Sequence, residues 1–156
     1  MDLKVDRLAI NTAMGAHAKR SLSGTLNMNN IFAAEQMLDN LERAYALGDK
    51  TMQPMARTYS KMIDAYAKHG RADEAARALE RMETQYRDGN KAARPLTIHY
   101  TNVIDAFAKS AGRLKEAAPT AEAVLRSMLD LYQKGDYHLA PDVMVFYHHR
   151  CLVEVW

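Results

Sequence analysis

Residues 79–95 read LERMETQYRDGNKAARP, and inside them Leu79, Met82, Tyr86, Gly89 and Pro95 mark a phrase that the chain spells three times. The earlier copy is Leu38, Leu41, Tyr45, Gly48 and Pro54, and the later one is Leu125, Met128, Tyr132, Gly135 and Pro141, with offsets of 3, 4, 3 and 6 residues in every copy. Apolar residues at helical spacing, closed by a Gly and followed by a Pro, describe a helix with its end and its linker. Three copies mean one supersecondary unit used repeatedly, too small to bury its own apolar face, which is the signature of a solenoid. Function in such a fold lies on an extended surface and not in a single catalytic pocket.

Each phrase is preceded by a second helical pattern. In the middle copy Tyr59, Met62, Ile63, Tyr66 and Ala67 form one stripe, His69-Gly70-Arg71 breaks it, and a helix is predicted from about Ala72 to Arg87. On the wet face of that helix Asp73–Arg77 and Glu83–Arg87 are expected as acid-before-base pairs four residues apart. In the later copy a first helix starts near His99 and carries Tyr100, Val103, Ile104, Phe107 and Ala108. Its partner runs to about Lys134, with Pro119 in the first turn, where a missing N–H costs nothing. Leu114–Ala118 reads as an insertion between the two. The first copy is more worn: Ile10, Ala13, Met14, His17 and Ala18 on a first helix, a polar loop over Ser21–Asn30, and a second helix from about Asn30 to Leu47 with an Asn as cap. The predicted units are 6–55, 56–96, 97–142, and 143–156 as the first helix of a fourth. Equivalent residues Asn11, Ser60, Thr101 and Tyr147 lie 49, 41 and 46 apart, longer than the roughly 34 residues of tetratricopeptide units.

Composition bounds the partners. At 156 residues and 48% apolar, the chain can build a continuous core of three to four stacked units. A formal charge of +2 and a pI near 8.6 are too mild to prove or exclude a nucleic acid. The lone Cys151 forms no internal disulfide and no Cys-rich zinc site, and fits a reducing compartment. No apolar run approaches a membrane span, and Met1–Arg7 does not read as a signal or transit peptide. Cys151–Trp156 stops inside an apolar, helix-like run, which predicts a piece of a longer protein. The adjacent His148-His149 cannot both ligate one metal from a helix, and the acidic residues form no two-metal or glycosidase-like group, so neither a cofactor nor catalysis is expected.

The stretch 58–75, TYSKMIDAYAKHGRADEA, with Met82 after it, resembles the pentatricopeptide repeat family, whose first helix opens Thr-Tyr-Asn-Thr-Leu-Ile-Asp and continues through a Lys, Gly-Arg and Glu-Ala to a late Met. Residues 100–109, YTNVIDAFAK, look like a second instance, and Pro141-Asp142 resembles the family's ending. The tetratricopeptide Trp-Leu-Gly signature is missing, since the only Trp is Trp156. The resemblance implies an all-α, right-handed α-solenoid of helix-turn-helix repeats that binds single-stranded RNA, about one base per repeat read by two or three side chains. It also implies a mitochondrial or plastid RNA-metabolism protein.

Carried over position by position, the implied base-reading pairs are Asn11 with Met55, Ser60 with Leu96, and Thr101 with Asp142. Only Thr101 with Asp142 resembles a standard pair, one associated with guanine. Asn11 alone leans to a pyrimidine and Ser60 to a purine, while Met55 and Leu96 offer no ordinary hydrogen-bonding group. Implied base-flanking residues are Leu8, Arg57, Ile98 and Met144, of which Arg57 could stack its guanidinium on a base. Lys19, Lys68 and Lys109 fall at equivalent places, where the resemblance implies phosphate contact. Each residue also has a plainer reading: the Tyr, Leu and Met stripes as core, Asp142 as an N-cap, Ser60 and Thr101 as first-turn residues, Lys68 and Lys109 as partners of Asp64 and Asp105. Two other functions use the same repeats, a protein–protein scaffold docked on an organellar RNA or ribosome assembly, and the RNA-recognition arm of a processing nuclease whose catalytic domain lies elsewhere.

Overall fold

The computed structural model describes residues 7–20, 28–110, 116–143 and 145, side chains at 14, 17–20 and 28–30 excepted. Among these residues there are six α-helices and no strand: α1 (Arg7–Arg20), α2 (Met28–Ala46), α3 (Ala56–Lys68), α4 (Ala72–Arg87), α5 (Thr97–Ser110) and α6 (Ala117–Gln133). They pack as pairs, α1 on α2, α3 on α4 and α5 on α6; the first helices α1, α3 and α5 lie side by side, and α4 leans on α5. The fold is a helical repeat stack. Of the fourth first helix expected over 143–156 only Val143 and Val145 are described; Met144, His148, His149 and Cys151 lie outside the described residues, as do Ser21–Asn27 and Ala111–Lys115.

One seam of core runs through the stack. Leu38, Leu41, Leu79, Met82 and Met128 of the second helices are at most 2% exposed, and so are Tyr59, Met62, Ile63, Tyr100, Ile104 and Phe107 of α3 and α5. Each such side chain contributes about 1.5–3 kcal/mol by leaving water, and stacking repeats is the way to collect it. The aromatic of the repeated phrase departs from the expected core role. Tyr45, Tyr86 and Tyr132 are only half-buried. The ammonium groups of Lys50 and Lys91 sit over the first two rings at 5.2 and 4.5 Å, and the Tyr132 and Tyr137 rings meet in a T-shaped pair with centroids 5.7 Å apart. Each ring thus lids the seam where the chain leaves the helix.

The helix ends explain the recurring Gly. Gly48, Gly89 and Gly135 have φ of 99°, 102° and 105°. After each, the next N–H reaches back five residues, from Asp49 to Ala44, Asn90 to Gln85 and Asp136 to Leu131. This Schellman closure needs the left-handed conformation, which a Cβ disfavours. The linkers then wind through short 3-10 turns at Lys50–Met52, Lys91–Ala93 and Tyr137–Leu139, the first two capped by the side chains of Asp49 and Asn90.

Three local expectations are corrected. α2 starts at Met28, two residues before the expected Asn30, and the Asn27 that precedes it lies outside the described residues. Ala117 and Ala118 belong to α6 and not to an insertion; Pro119 then sits in the first turn, one residue before the first helical bond, Thr120 N–H to Glu116 O at 3.0 Å. Arg77 pairs with Glu74 at 3.6 Å and not with Asp73, and Glu83 turns away from Arg87 into the seam. There it accepts from Tyr100 Oη at 2.6 Å and Ser127 Oγ at 2.9 Å.

Candidate nucleic-acid interface

The first helices and the linkers before them carry the described residues singled out in the sequence. Near their N-terminal ends Leu8 is 67% and Ile98 54% exposed, and Arg57 between them in the repeat order is exposed too. Leu96, just after the linker proline, is 41% exposed; Met55 is half-buried and Asp142 exposed. A row of apolar surface with a guanidinium in it is the kind of edge on which flat aromatic groups stack.

The helix-borne members of the pairs are less open. Asn11 and Thr101 are buried, and Ser60 is half-buried. Asn11 Oδ1 accepts from Thr58 Oγ1 at 2.8 Å, and its backbone carbonyl accepts from Lys61 Nζ. Ser60 Oγ donates to the Ala56 carbonyl at 2.9 Å and lies 2.6 Å from His99 Nε2. Thr101 Oγ1 donates to the Thr97 carbonyl at 3.0 Å. Asp142 Oδ1 accepts from the Val145 N–H at 3.0 Å, a capping contact three residues on.

The lysines are paired with their neighbours. Lys68 Nζ meets Asp64 at 2.6 Å and Lys109 Nζ meets Asp105 at 2.5 Å, with Lys68 49% and Lys109 68% exposed. Such exposed pairs are worth about 0–1 kcal/mol, so a phosphate can compete for either ammonium. The Lys19 side chain lies outside the described residues.

Charge is divided between the two sides of the stack. By sequence α1, α3 and α5 hold seven Lys or Arg against only Asp64 and Asp105. α2, α4 and α6 hold nine Asp or Glu against five Arg. A groove of about 580 Å³ between α4 and α6 has Asp73, Glu80 and Glu83 against Arg77 around an alanine, leucine and valine floor, and a neighbouring one sets Arg87, Lys91 and Lys134 against Glu83 and Asp130. Among the described residues no group of three or more His, Cys, Asp or Glu could hold a metal, and no helix is long and apolar enough to cross a membrane.

Thr58 and His99 were not singled out in the sequence, although each stands three residues after Met55 or Leu96, the spacing of an N-terminal capping contact. Glu83 was read as surface, and Glu42 was not singled out. Their signal is that Tyr59 and Tyr100 follow them at the same separation of 17 residues.

Residues 57–85, which span nearly all of α3 and α4, match the family model described as PPR repeat. Searches of curated proteins and of solved structures found no significant match.

Proposed function

We propose that this chain is a segment of a single-stranded RNA-binding protein of the pentatricopeptide type, laying about one base per repeat along the first-helix side. The observation that carries this reading is the division of charge: the side that holds Arg57, Lys68 and Lys109 is the basic one, and the second-helix side is acidic. Phosphates gain from the former and are repelled by the latter. Leu8, Arg57, Ile98 and Leu96 supply stacking surface on the same side. Stacking contributes roughly 1–3 kcal/mol per base in favourable cases, so three repeats bind weakly alone and a longer array is needed for a specific site.

In this reading the segment is a non-catalytic binding module, and its setting is mitochondrial or plastid RNA metabolism, which the cellular location of a fluorescent fusion of the full-length protein checks. The direct test is a titration of labelled single-stranded RNA against this chain at several salt concentrations. Weak binding whose affinity falls with salt is expected. Binding that ignores salt, or binding of a protein partner on the first-helix side to the exclusion of RNA, favours the scaffold instead.

A further inference from the structure

Between the two members of each reading pair in the first two repeats stands a third side chain. Thr58 Oγ1 accepts from the Met55 N–H at 3.2 Å and donates its own proton to Asn11 Oδ1 at 2.8 Å. His99, 2% exposed, accepts from the Leu96 N–H through Nδ1 at 2.9 Å, and its Nε2 lies 2.6 Å from Ser60 Oγ. A ring nitrogen that accepts from an amide carries no proton, so the neutral imidazole keeps its hydrogen on Nε2 and donates it to the serine. The serine proton goes to the Ala56 carbonyl at 2.9 Å. A hydroxyl has one proton and two lone pairs; here a single lone pair is left for the groove. In the third repeat the same helical place holds Val145, and the bridge is replaced. Asp142 caps the Val145 N–H itself, and Thr101 is held only by the Thr97 carbonyl among the described residues. An apolar residue after the linker proline therefore goes with a bridging side chain, and an acidic one with a cap of its own.

We propose that Thr58 and His99 are positioning residues of the reading sites, and that His99 and the Ala56 carbonyl together fix the Ser60 hydroxyl as a hydrogen-bond acceptor toward the RNA, so that repeat 2 selects its base by an N–H. This rests on the RNA reading given above. A base that offers an amino or imino hydrogen satisfies the remaining lone pair. A base that offers only a ring nitrogen or a carbonyl there sets acceptor against acceptor and loses the contact.

The test measures binding of labelled single-stranded RNA in which adenine is exchanged, one position at a time, for purine, which lacks the exocyclic amino group. The chain is expected to lose roughly threefold to tenfold in affinity at the repeat-2 position, the size of one neutral hydrogen bond. His99→Val should reduce that loss to less than about twofold and leave discrimination at the Thr101–Asp142 position untouched. His99→Thr should restore it, because threonine can accept from Leu96 and donate to Ser60 as Thr58 does for Asn11. Unchanged discrimination at the repeat-2 position in His99→Val overturns the proposal while leaving RNA binding intact. If no RNA binds the unaltered chain, the RNA reading fails and base selection fails with it. The bridge is measured separately by ring-nitrogen NMR shifts of the free protein: a proton on Nε2 is expected, and a proton on Nδ1 rules the bridge out even if RNA binds.

Discussion

Burial holds the His99 imidazole below its ordinary value of about 6.5, and the Leu96 N–H on Nδ1 leaves no room for a second ring proton. The sign of the consequence follows by linkage. The unfolded chain takes up a proton at this residue before the folded one does, so the neutral ring's contribution is fully present above about pH 6.5 and is lost as pH falls through the lower folded value. Denaturant unfolding followed from pH 7.5 down to pH 5 should show this loss, and His99→Thr, which has nothing to titrate, should show a flatter profile over the same range. An identical slope in both proteins contradicts the neutral, buried ring. At this scale the sequence was only half legible. The resemblance singled out Ser60 and Thr101 after the helix-opening aromatics and Asp142 after the linker proline. It did not reveal that Asn11 and Ser60 are tied to Thr58 and His99, because capping and reading draw on the same polar residue types within one turn. Which use a side chain serves depends on the helix that packs next to it.

Glu83 joins three helices, accepting from Tyr100 of α5 and Ser127 of α6 while it belongs to α4. Glu42 does the same one repeat earlier, accepting from Tyr59 of α3 at 2.7 Å and from Arg81 of α4 at 2.8 Å. Burial, reinforced by the neighbouring carboxylate, pushes both phenols well above the usual tyrosine range, so they remain donors at any physiological pH. The next equivalent residue is Leu129, and 17 places further on the sequence has Phe146, so acid and hydroxyl disappear together. Tyr100→Phe should cost roughly 1–2 kcal/mol by leaving the carboxylate short of a charge-assisted bond. Adding Glu83→Leu should recover most of that loss, giving a coupling of about 1 kcal/mol in a double-mutant cycle of thermal or denaturant unfolding. Additive effects contradict the clasp. Helix identity was readable because the stripes Tyr59 to Tyr66 and Leu79 to Tyr86 keep the 3.6 period and Gly89 closes the second. The clasp was not, because a glutamate on a helix reads as wet until its partner 17 residues away is known to fold over it.

The stack as a whole separates its charges although its net charge is small. Formal charge of +2 conceals a basic first-helix side and an acidic second-helix side. Bulk composition averages the two, and only the alternation of helices around a shared seam sorts them. A chain so arranged meets a polyanion in one orientation and presents its other side to basic or neutral partners. The most direct measurement is the affinity for single-stranded RNA across a salt series in three proteins: the unaltered chain, Arg57→Glu on the first-helix side, and Arg126→Glu on the second, where the exposed arginine meets Glu122 at 2.6 Å. With about three phosphates engaged, the logarithm of affinity should fall with the logarithm of salt at a slope of about −2. Arg57→Glu should weaken binding several-fold by removing a stacking guanidinium and adding a negative charge to the path, while Arg126→Glu leaves affinity and slope as they were. Equal losses in the two variants, or none in Arg57→Glu, would contradict an RNA path along the first helices.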